Sequence, residues 1–512
     1  MKKILALMLA LAVALGCGIA LAAGTTVYSS DFSQGADGWV ARSMGSAFIT
    51  AENGALRIEG RESDWHSPGR NFELKEGVRY ILKVQVLQSE VQQADFMISV
   101  AHTLNGQETY ENLAFATVNK GAWTTLQCEY TPGHYDQYIL YVETKNAPTL
   151  SYSIRKFIVS APDGIPRDGE EAVELPALKD VYAGQFDFGI AAPQYLIRGG
   201  GAAMELVRQQ FNILTPENEL KPDSVLDVAA SKKLVADTGD ETAAAVHFDA
   251  AKPLLDFAKE NGIKVHGHVL VWHSQTPEAF FHEGYDTNKP YVSREVMLGR
   301  LENYIKGVME YMDMNFPGVV VSWDVVNEAI DDGGNYLRPS NWTRVVGDDF
   351  LARAFELARK YAPEGTLLYY NDYNTAVSGK LVKIVKLLES LIPEGNIDGY
   401  GFQMHHSITY PGIKAIETCV AKIASLGLRL RISELDVGVD KNDEGSLEAQ
   451  ALLYAQVMQL ARKYSDQFEA VQVWGLTDSM SWRSGNYPLL FDGVRSPKPA
   501  FWAVADPDGY TE

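Results

Sequence analysis

Cysteine is scarce: three in 512 residues, at Cys17, Cys128 and Cys419, scattered too widely for a disulfide framework to carry the fold. Positive charge is also in deficit, with 45 Lys and Arg against 66 Asp and Glu and a formal net charge of −21. That sign excludes nucleic acid and anionic membranes as partners, because the electrostatic term would be repulsive. No Gly-rich phosphate loop follows a strand, which argues against a dinucleotide fold. No His-Glu-x-x-His segment is present, and no metal is expected in the catalytic site.

What is present starts at residues 1–23. Lys2 and Lys3 precede an apolar run that ends in Ala20-Leu21-Ala22, the pattern of a secretory signal peptide. A secreted, extracellular protein is the expectation. Cys17 follows Ala14-Leu15-Gly16, a poor lipid-attachment motif, and anchoring through it is the lesser alternative. From 24 to 160, strand-like runs recur at 55–59, 79–86, 96–101, 124–130, 138–143 and 152–159 with no helical period between them. This spacing predicts an all-β sandwich domain. Tyr141 and Glu143 fall on one face of a strand by alternation and read as an exposed ring beside a carboxylate, a pairing suited to sugar. Prolines 162, 166 and 176 among Asp, Gly and Glu mark 161–178 as a linker.

From 179 to 512 the pattern changes to apolar runs alternating with helical periodicity. Strands are expected at 186–191, 212–215, 264–270, 319–326, 366–370, 399–403, 428–433 and 470–474. Helices are expected at 202–210, 249–261, 294–312, 350–361, 380–391, 414–426 and 447–464. This alternation predicts an α/β domain of the (β/α)₈ TIM-barrel class. The runner-up is an open doubly wound sheet, which lacks its phosphate loop here. An extra polar stretch at 227–242 reads as a rim loop after the second strand.

Two of the expected strands end in a glutamate. One reads Val-Val-Val-Ser-Trp-Asp-Val-Val-Asn-Glu and closes on Glu328; the other reads Leu-Arg-Ile-Ser-Glu and closes on Glu434. Barrels place their chemistry at these C-terminal tips, and a carboxylate pair is what glycoside hydrolysis requires. Either glutamate alone would more often be a cap at a strand end. Other tips add Glu217, Asn218, Lys221, His268, Trp272, Gln275, Asn327, Tyr373, Gln403, His405, Trp474 and Trp482. Aromatic planes stack on sugar faces, while amides and imidazoles bond hydroxyls.

Trp-Asp-Val-Val-Asn-Glu, Gly-His-Val-Leu-Val-Trp-His-Ser-Gln, Ile-Ser-Glu-Leu-Asp and Trp-Gly-Leu-Thr-Asp together resemble the family 10 glycoside hydrolases, the retaining endo-β-1,4-xylanases, over the whole barrel. The resemblance implies Glu328 as acid/base and Glu434 as nucleophile. It implies Glu217, Asn218 and Lys221 on the non-reducing side of a cleft, and His268, Trp272, Asn327, Gln403, Trp474 and Trp482 around the sugar cleaved. Gln275 and Tyr373 join the substrate-binding set, and His405 and Asp436 stand as partners of Glu434. Asp31-Phe32, Gly38-Trp39, Gly60-Arg61-Glu62-Ser63-Asp64-Trp65 and Tyr141-Val142-Glu143 resemble a family 22 carbohydrate-binding module. That resemblance implies sugar contacts at Arg42, Trp65, Tyr110, Tyr141 and Glu143. Modules of this kind often hold a structural Ca²⁺ ion, for which the sequence places no ligands. The expected partners are xylan and xylo-oligosaccharides, with no protein partner, no catalytic cofactor and a monomeric state.

Overall fold

The computed structural model describes residues 25–42, 46–104, 107–133, 135–162, 165, 175–198, 202–493 and 496–510. The expected leader at 1–23, Cys17 with it, and most of the expected linker lie outside the described residues. The chain divides into two compact units, Met1–Ala172 and Val173–Glu512. Among the described residues no helix is long and apolar enough to cross a membrane.

The first unit is built from two antiparallel sheets. Strands β1 (Thr25–Ser30), β2 (Val40–Ala41), β3 (Phe48–Glu52), β4 (Ala55–Glu59), β5 (Pro68–Phe72), β6 (Tyr80–Gln88), β7 (Gln93–Leu104), β8 (Gln107–Asn119), β9 (Thr124–Tyr130), β10 (Gln137–Lys145) and β11 (Tyr152–Ala161) follow in order. One sheet runs β3-β4-β11-β6-β9 with β1 on β11, the other β2-β5-β10-β7-β8. Alternate residues supply the core: Leu82, Val84 and Val86 from β6, Phe96, Ile98 and Val100 from β7, Leu140 and Val142 from β10, all fully buried. The period-2 pattern thus turns its apolar face inward.

The second unit is a closed parallel barrel. Its strands are β12 (Asp187–Ala192), β13 (Ile213–Pro216), β14 (Lys264–Trp272), β15 (Val320–Asn327), β16 (Leu367–Asp372), β17 (Gly399–Phe402), β19 (Arg429–Gly438) and β20 (Phe468–Val473). They order as β17-β16-β15-β14-β13-β12-β20-β19, and β19 pairs back onto β17 to close the ring. A short β18 (His405–Ser407) adds to β19 beyond the rim of β17. The intervening helices include Ala202–Gln210, Lys252–Asn261, Arg294–Asn315, Phe350–Tyr361, Ser378–Leu391, Ile413–Ala424 and Glu444–Lys463. Because helices cover the outside and side chains fill the inside, each strand is buried on both faces, as its apolar run requires.

One expectation fails here. Residues 227–242 do not form a rim loop; they form a helix, Val228–Thr238, whose Ser231 and Val235 are buried. Asp227 caps it by accepting from Ala230 N at 2.8 Å. The Ser231 hydroxyl accepts from Ala245 N at 2.8 Å. Beyond the helix, the fully buried Arg300 donates to the Glu241 carbonyl and carboxylate, both at 2.6 Å. Asn303 donates to the Thr242 carbonyl at 2.9 Å. The stretch therefore ties the Arg294–Asn315 helix to the region after β13. Its polar surface concealed the brace, because only one narrow edge is buried.

Replacing 228–242 by a short turn would strand the Arg300 guanidinium without its carboxylate. Leaving the buried guanidinium without its counter-charge costs about 3 kcal/mol, which for a domain of this size is about 4 °C in the thermal midpoint. A calorimetric scan of the variant is expected to show that fall; an unchanged midpoint would contradict the brace.

Candidate active site

The end of β15 fixes the first glutamate. Glu328 follows Asn327 directly and takes a left-handed backbone conformation, φ 55°. Its N–H donates to the Asn371 carbonyl on β16 at 2.9 Å, so the ladder persists one residue past the strand. The turn swings the side chain over the barrel mouth. There Oε1 accepts from Gln403 Nε2 at 2.9 Å and Oε2 accepts from Trp272 Nε1 at 3.0 Å. His273 Nδ1 stands 3.9 Å from Oε2.

Glu434 lies within β19 and is buried. Its Oε1 accepts from Asn371 Nδ2 at 2.7 Å, and its Oε2 accepts from His405 Nε2 at 3.0 Å. His405 also faces Asp436 Oδ2 through Nδ1 at 2.8 Å. With a carboxylate on each ring nitrogen, the imidazole has to donate from both and therefore carries charge. Burial alone would push His405 down, but Asp436 and Glu434 hold it up to about 10. Asp436 is fully buried and is further matched by Trp482 Nε1 at 3.2 Å and by the Arg483 guanidinium.

The two glutamates are joined through amides. Asn327 Oδ1 accepts from Asn371 Nδ2 and from Gln403 Nε2, each at 3.1 Å. Asn371 then reaches Glu434 and Gln403 reaches Glu328. On one side of this chain Lys221 Nζ donates to Asn218 Oδ1 at 2.9 Å and to Gln275 Oε1 at 3.0 Å. The same ammonium stands 5.1 Å from the Trp272 ring centroid. Burial lowers the Lys221 pKa against the pull of Glu434 and Glu217, and burial raises that of Glu217. On the other side the half-buried Tyr373 has the Lys380 ammonium 3.5 Å from its ring centroid. Its hydroxyl accepts from Arg338 at 2.8 Å.

Trp474 is buried edge-on against His268 and His405, with centroids 5.5 and 6.3 Å away. Trp482 is 61% exposed. His268 itself is buried behind Trp474 and donates from Nδ1 to Asp324 Oδ2 at 2.9 Å. His266 and His268 have a His-x-His spacing that sequence reasoning overlooked. Both rings turn to one carboxylate, since His266 Nε2 lies 3.0 Å from the same Asp324 oxygen. Burial and Arg431 push His266 down to about 4, so it stays neutral. Burial would raise Asp324, but the two histidines hold it well below the usual carboxylate range. Among the described residues no group of three or more His, Cys, Asp or Glu is arranged to hold a metal.

Asp324 and Arg338 escaped the sequence reading, while Asn371 stands at an expected strand tip with no role assigned to it. Asn371, Asp324 and Arg338 act through partners one strand or one loop away, and a single strand's pattern carries no sign of them. Asn371 did sit at an expected tip, in Asn-Asp-Tyr, and that was the available signal.

In the first unit, Tyr141 and Glu143 share the face opposite the core residues Leu140 and Val142. The exposed ring expected at Tyr141 is not found. Tyr141 is 2% exposed, because the Arg42 guanidinium lies over it at 3.9 Å from the ring centroid. Gly69 makes that cover feasible, since a Cβ there would meet Arg42 Cγ at 2.9 Å. Glu143 is buried and accepts from Ser99 Oγ at 2.7 Å. The exposed rings on this unit include Trp65 at 46% and Tyr110 at 59%, and Arg42 stands 5.1 Å from the Tyr110 centroid.

The His405 shift has a definite sign. Its folded pKa lies above the unfolded value, so its contribution to stability is full below about 6.5 and fades as pH climbs through about 10. An NMR titration of the His405 ring is expected to stay flat through neutrality, and Asp436→Asn should lower the midpoint. A His405 midpoint near 6.5 in the unmutated chain would contradict the charged bridge.

The site can now be set beside known proteins. The model of Glycosyl hydrolase family 10 matches residues 177–507, and that of a Carbohydrate binding domain matches 24–149. Endo-1,4-beta-xylanase A of Thermotoga maritima is 33% identical over 512 aligned residues, covering 94% of this chain and 46% of its own. Endo-1,4-beta-xylanase B of Butyrivibrio fibrisolvens is 41% identical over 337, covering 64% of this chain and 52% of its own. The chain thus spans about half the length of these curated relatives. The solved CBM22-1 and GH10 modules of a Clostridium thermocellum endo-1,4-beta-D-xylanase, complexed with xylohexaose, match at TM-score 0.60 and 30% identity. That match covers 94% of this chain and 97% of the other. The parallel barrel, the two glutamates joined by its amide chain and the family match over 177–507 lead to one assignment: the chain belongs to glycosyl hydrolase family 10.

Proposed function

We propose that this chain is a secreted endo-1,4-β-xylanase that cleaves internal xylosidic bonds with retention, and that its N-terminal domain binds xylan. The observation that carries the catalytic half is the run of four hydrogen bonds from Glu328 through Gln403, Asn327 and Asn371 to Glu434. It holds two carboxyls over one cavity mouth in different settings. Glu434 faces an imidazolium and an amide donor. Glu328 takes its hydrogen bonds from the neutral donors Trp272 and Gln403.

In the first step a Glu434 oxygen attacks the anomeric carbon while Glu328 delivers its proton to the departing xylosyl oxygen. A covalent glycosyl-enzyme and a shortened chain result. In the second step Glu328, now a carboxylate, takes a proton from water, and that water displaces Glu434. Two inversions return the original anomeric configuration. Lys221, Asn218, Gln275 and Glu217 bond the hydroxyls of the non-reducing part, with His268, Trp474 and Trp482 around the sugar cleaved and Tyr373 under the leaving part. No metal or cofactor enters these steps. On the first unit the exposed rings of Trp65 and Tyr110 stack on sugar, with Arg42 and Glu143 beside them and Tyr141 supporting Arg42 from below. Relatives named as xylanases and a structural neighbour solved with xylohexaose support xylan as the polymer. The charge of −21 suits a neutral one. Export rests on the leader pattern of residues 1–23, and a monomer is the working state.

The roles of the glutamates are separable. Glu434→Ala should lose about 10⁴-fold or more on every β-xyloside. Glu328→Ala should lose about 10²–10⁴-fold on xylan yet still form the intermediate from an aryl glycoside with a good leaving group. Azide should then give a β-azide with the Glu328 variant and an α-azide with the Glu434 variant. Interchanged anomers would reverse the assignment, and release of reducing ends from cellulose but not xylan would overturn the substrate.

A further inference from the structure

We propose that Arg338 is a positioning residue for the acid/base carboxyl: it clamps the Glu328 carbonyl and couples that turn to Tyr373 at the rim. The inference rests on the reading of Glu328 as the acid/base.

A left-handed backbone at a residue with a side chain persists only where neighbours over-determine it. At Glu328 the neighbours hold both adjoining peptide groups. Its N–H donates to Asn371 O at 2.9 Å, and its carbonyl accepts from Arg338 Nε at 3.1 Å. Arg338 reaches back because the chain between them is a closed loop. Arg338 N donates to Ala329 O at 2.8 Å, and Ile330 bridges Leu337. The loop is pinned from outside as well. Ile330 N donates to the Tyr370 hydroxyl at 3.1 Å, and Tyr370 donates in turn to the fully buried Asp372. Lys383 Nζ donates to the carbonyls of Asp331, Gly333 and Asn335 at 3.0, 2.6 and 2.7 Å.

The far end of the guanidinium has its own anchors. Arg338 Nη2 donates to Asp332 Oδ2 at 2.9 Å and to the Tyr373 hydroxyl at 2.8 Å. Asp332 is held by Lys380 at 2.9 Å, and Lys380 also pairs with Asp372 at 2.9 Å. Only a forked, planar donor spans the Glu328 carbonyl and the Asp332–Tyr373 pair at once; an ammonium does not. A sugar seated on Tyr373 would therefore press on the same group that sets the angle of the acid.

A clamp and a mere loop brace differ in what they cost. Rotation about the Glu328 backbone moves its carboxyl away from the departing oxygen but leaves Glu434 untouched. The loss should then fall on leaving groups that need a proton. Arg338→Met and Arg338→Lys would be made in the full chain, and kcat/KM measured on xylan and on 2,4-dinitrophenyl β-xylobioside, with Glu328→Ala as the reference. Both Arg338 variants are expected to lose about 100-fold on xylan and less than about threefold on the dinitrophenyl glycoside. Should the Met variant not fold, the Lys variant decides, because it keeps the positive charge beside Asp332 and removes only the fork. Equal losses on both substrates, or none on xylan, would overturn the clamp. If Glu328→Ala itself shows no difference between the substrates, the acid/base reading fails instead.

Discussion

One oxygen organises the catalytic rim. Asn327 Oδ1 accepts from Asn371 and Gln403 at 3.1 Å each, and those amides hold the two glutamates. Barrel register makes the convergence inevitable: Trp272 pairs with Asn327, Asn327 with Asn371, and Asn371 with Gly401. The last position has to lack a side chain, because a Cβ on Gly401 would lie 2.4 Å from Asn371 Oδ1. A one-residue slip of β16 would turn Asn371 out of the barrel and release Glu434. Register, more than any single strong bond, is what brings the carboxyls together.

Charge is balanced locally around that frame. Glu434 and Asp436 enclose the His405 imidazolium, and Arg483 pairs with the far oxygen of Asp436. A buried charge left unpaired would cost several kcal/mol, so the four stand or fall together. Deeper in the barrel Asp324 carries its charge between His266 and His268 while Arg431 sits below, donating to His266 at 2.6 Å. The polar floor thus rises continuously to the rim. It keeps His268 and Trp474 fixed.

Much of this was legible in the chain. Parallel strands buried on both faces leave apolar runs that stand out, and the helix expected at 350–361 occupies Phe350–Tyr361. The glutamates showed because a carboxylate ending such a run is conspicuous. What stayed hidden depends on relations between distant segments. Strand β8 is exposed along most of its length and has no alternation to find. The helix at Val228–Thr238 buries a single narrow edge and passes for a polar loop. Tyr141 alternates as an outward residue should, yet Arg42, ninety-nine positions earlier, covers it. Asn371, Asp324 and Arg338 matter only through the partners that the closed ring supplies.

The central claim is that Glu434 forms the covalent bond to sugar. Incubation with a 2-deoxy-2-fluoro xylobioside carrying a dinitrophenyl leaving group would slow turnover of that bond enough to trap it. Digestion and mass spectrometry are then expected to find the added disaccharide on the peptide that contains Glu434. An adduct on the peptide containing Glu328, or product of inverted configuration with no adduct, would contradict the account.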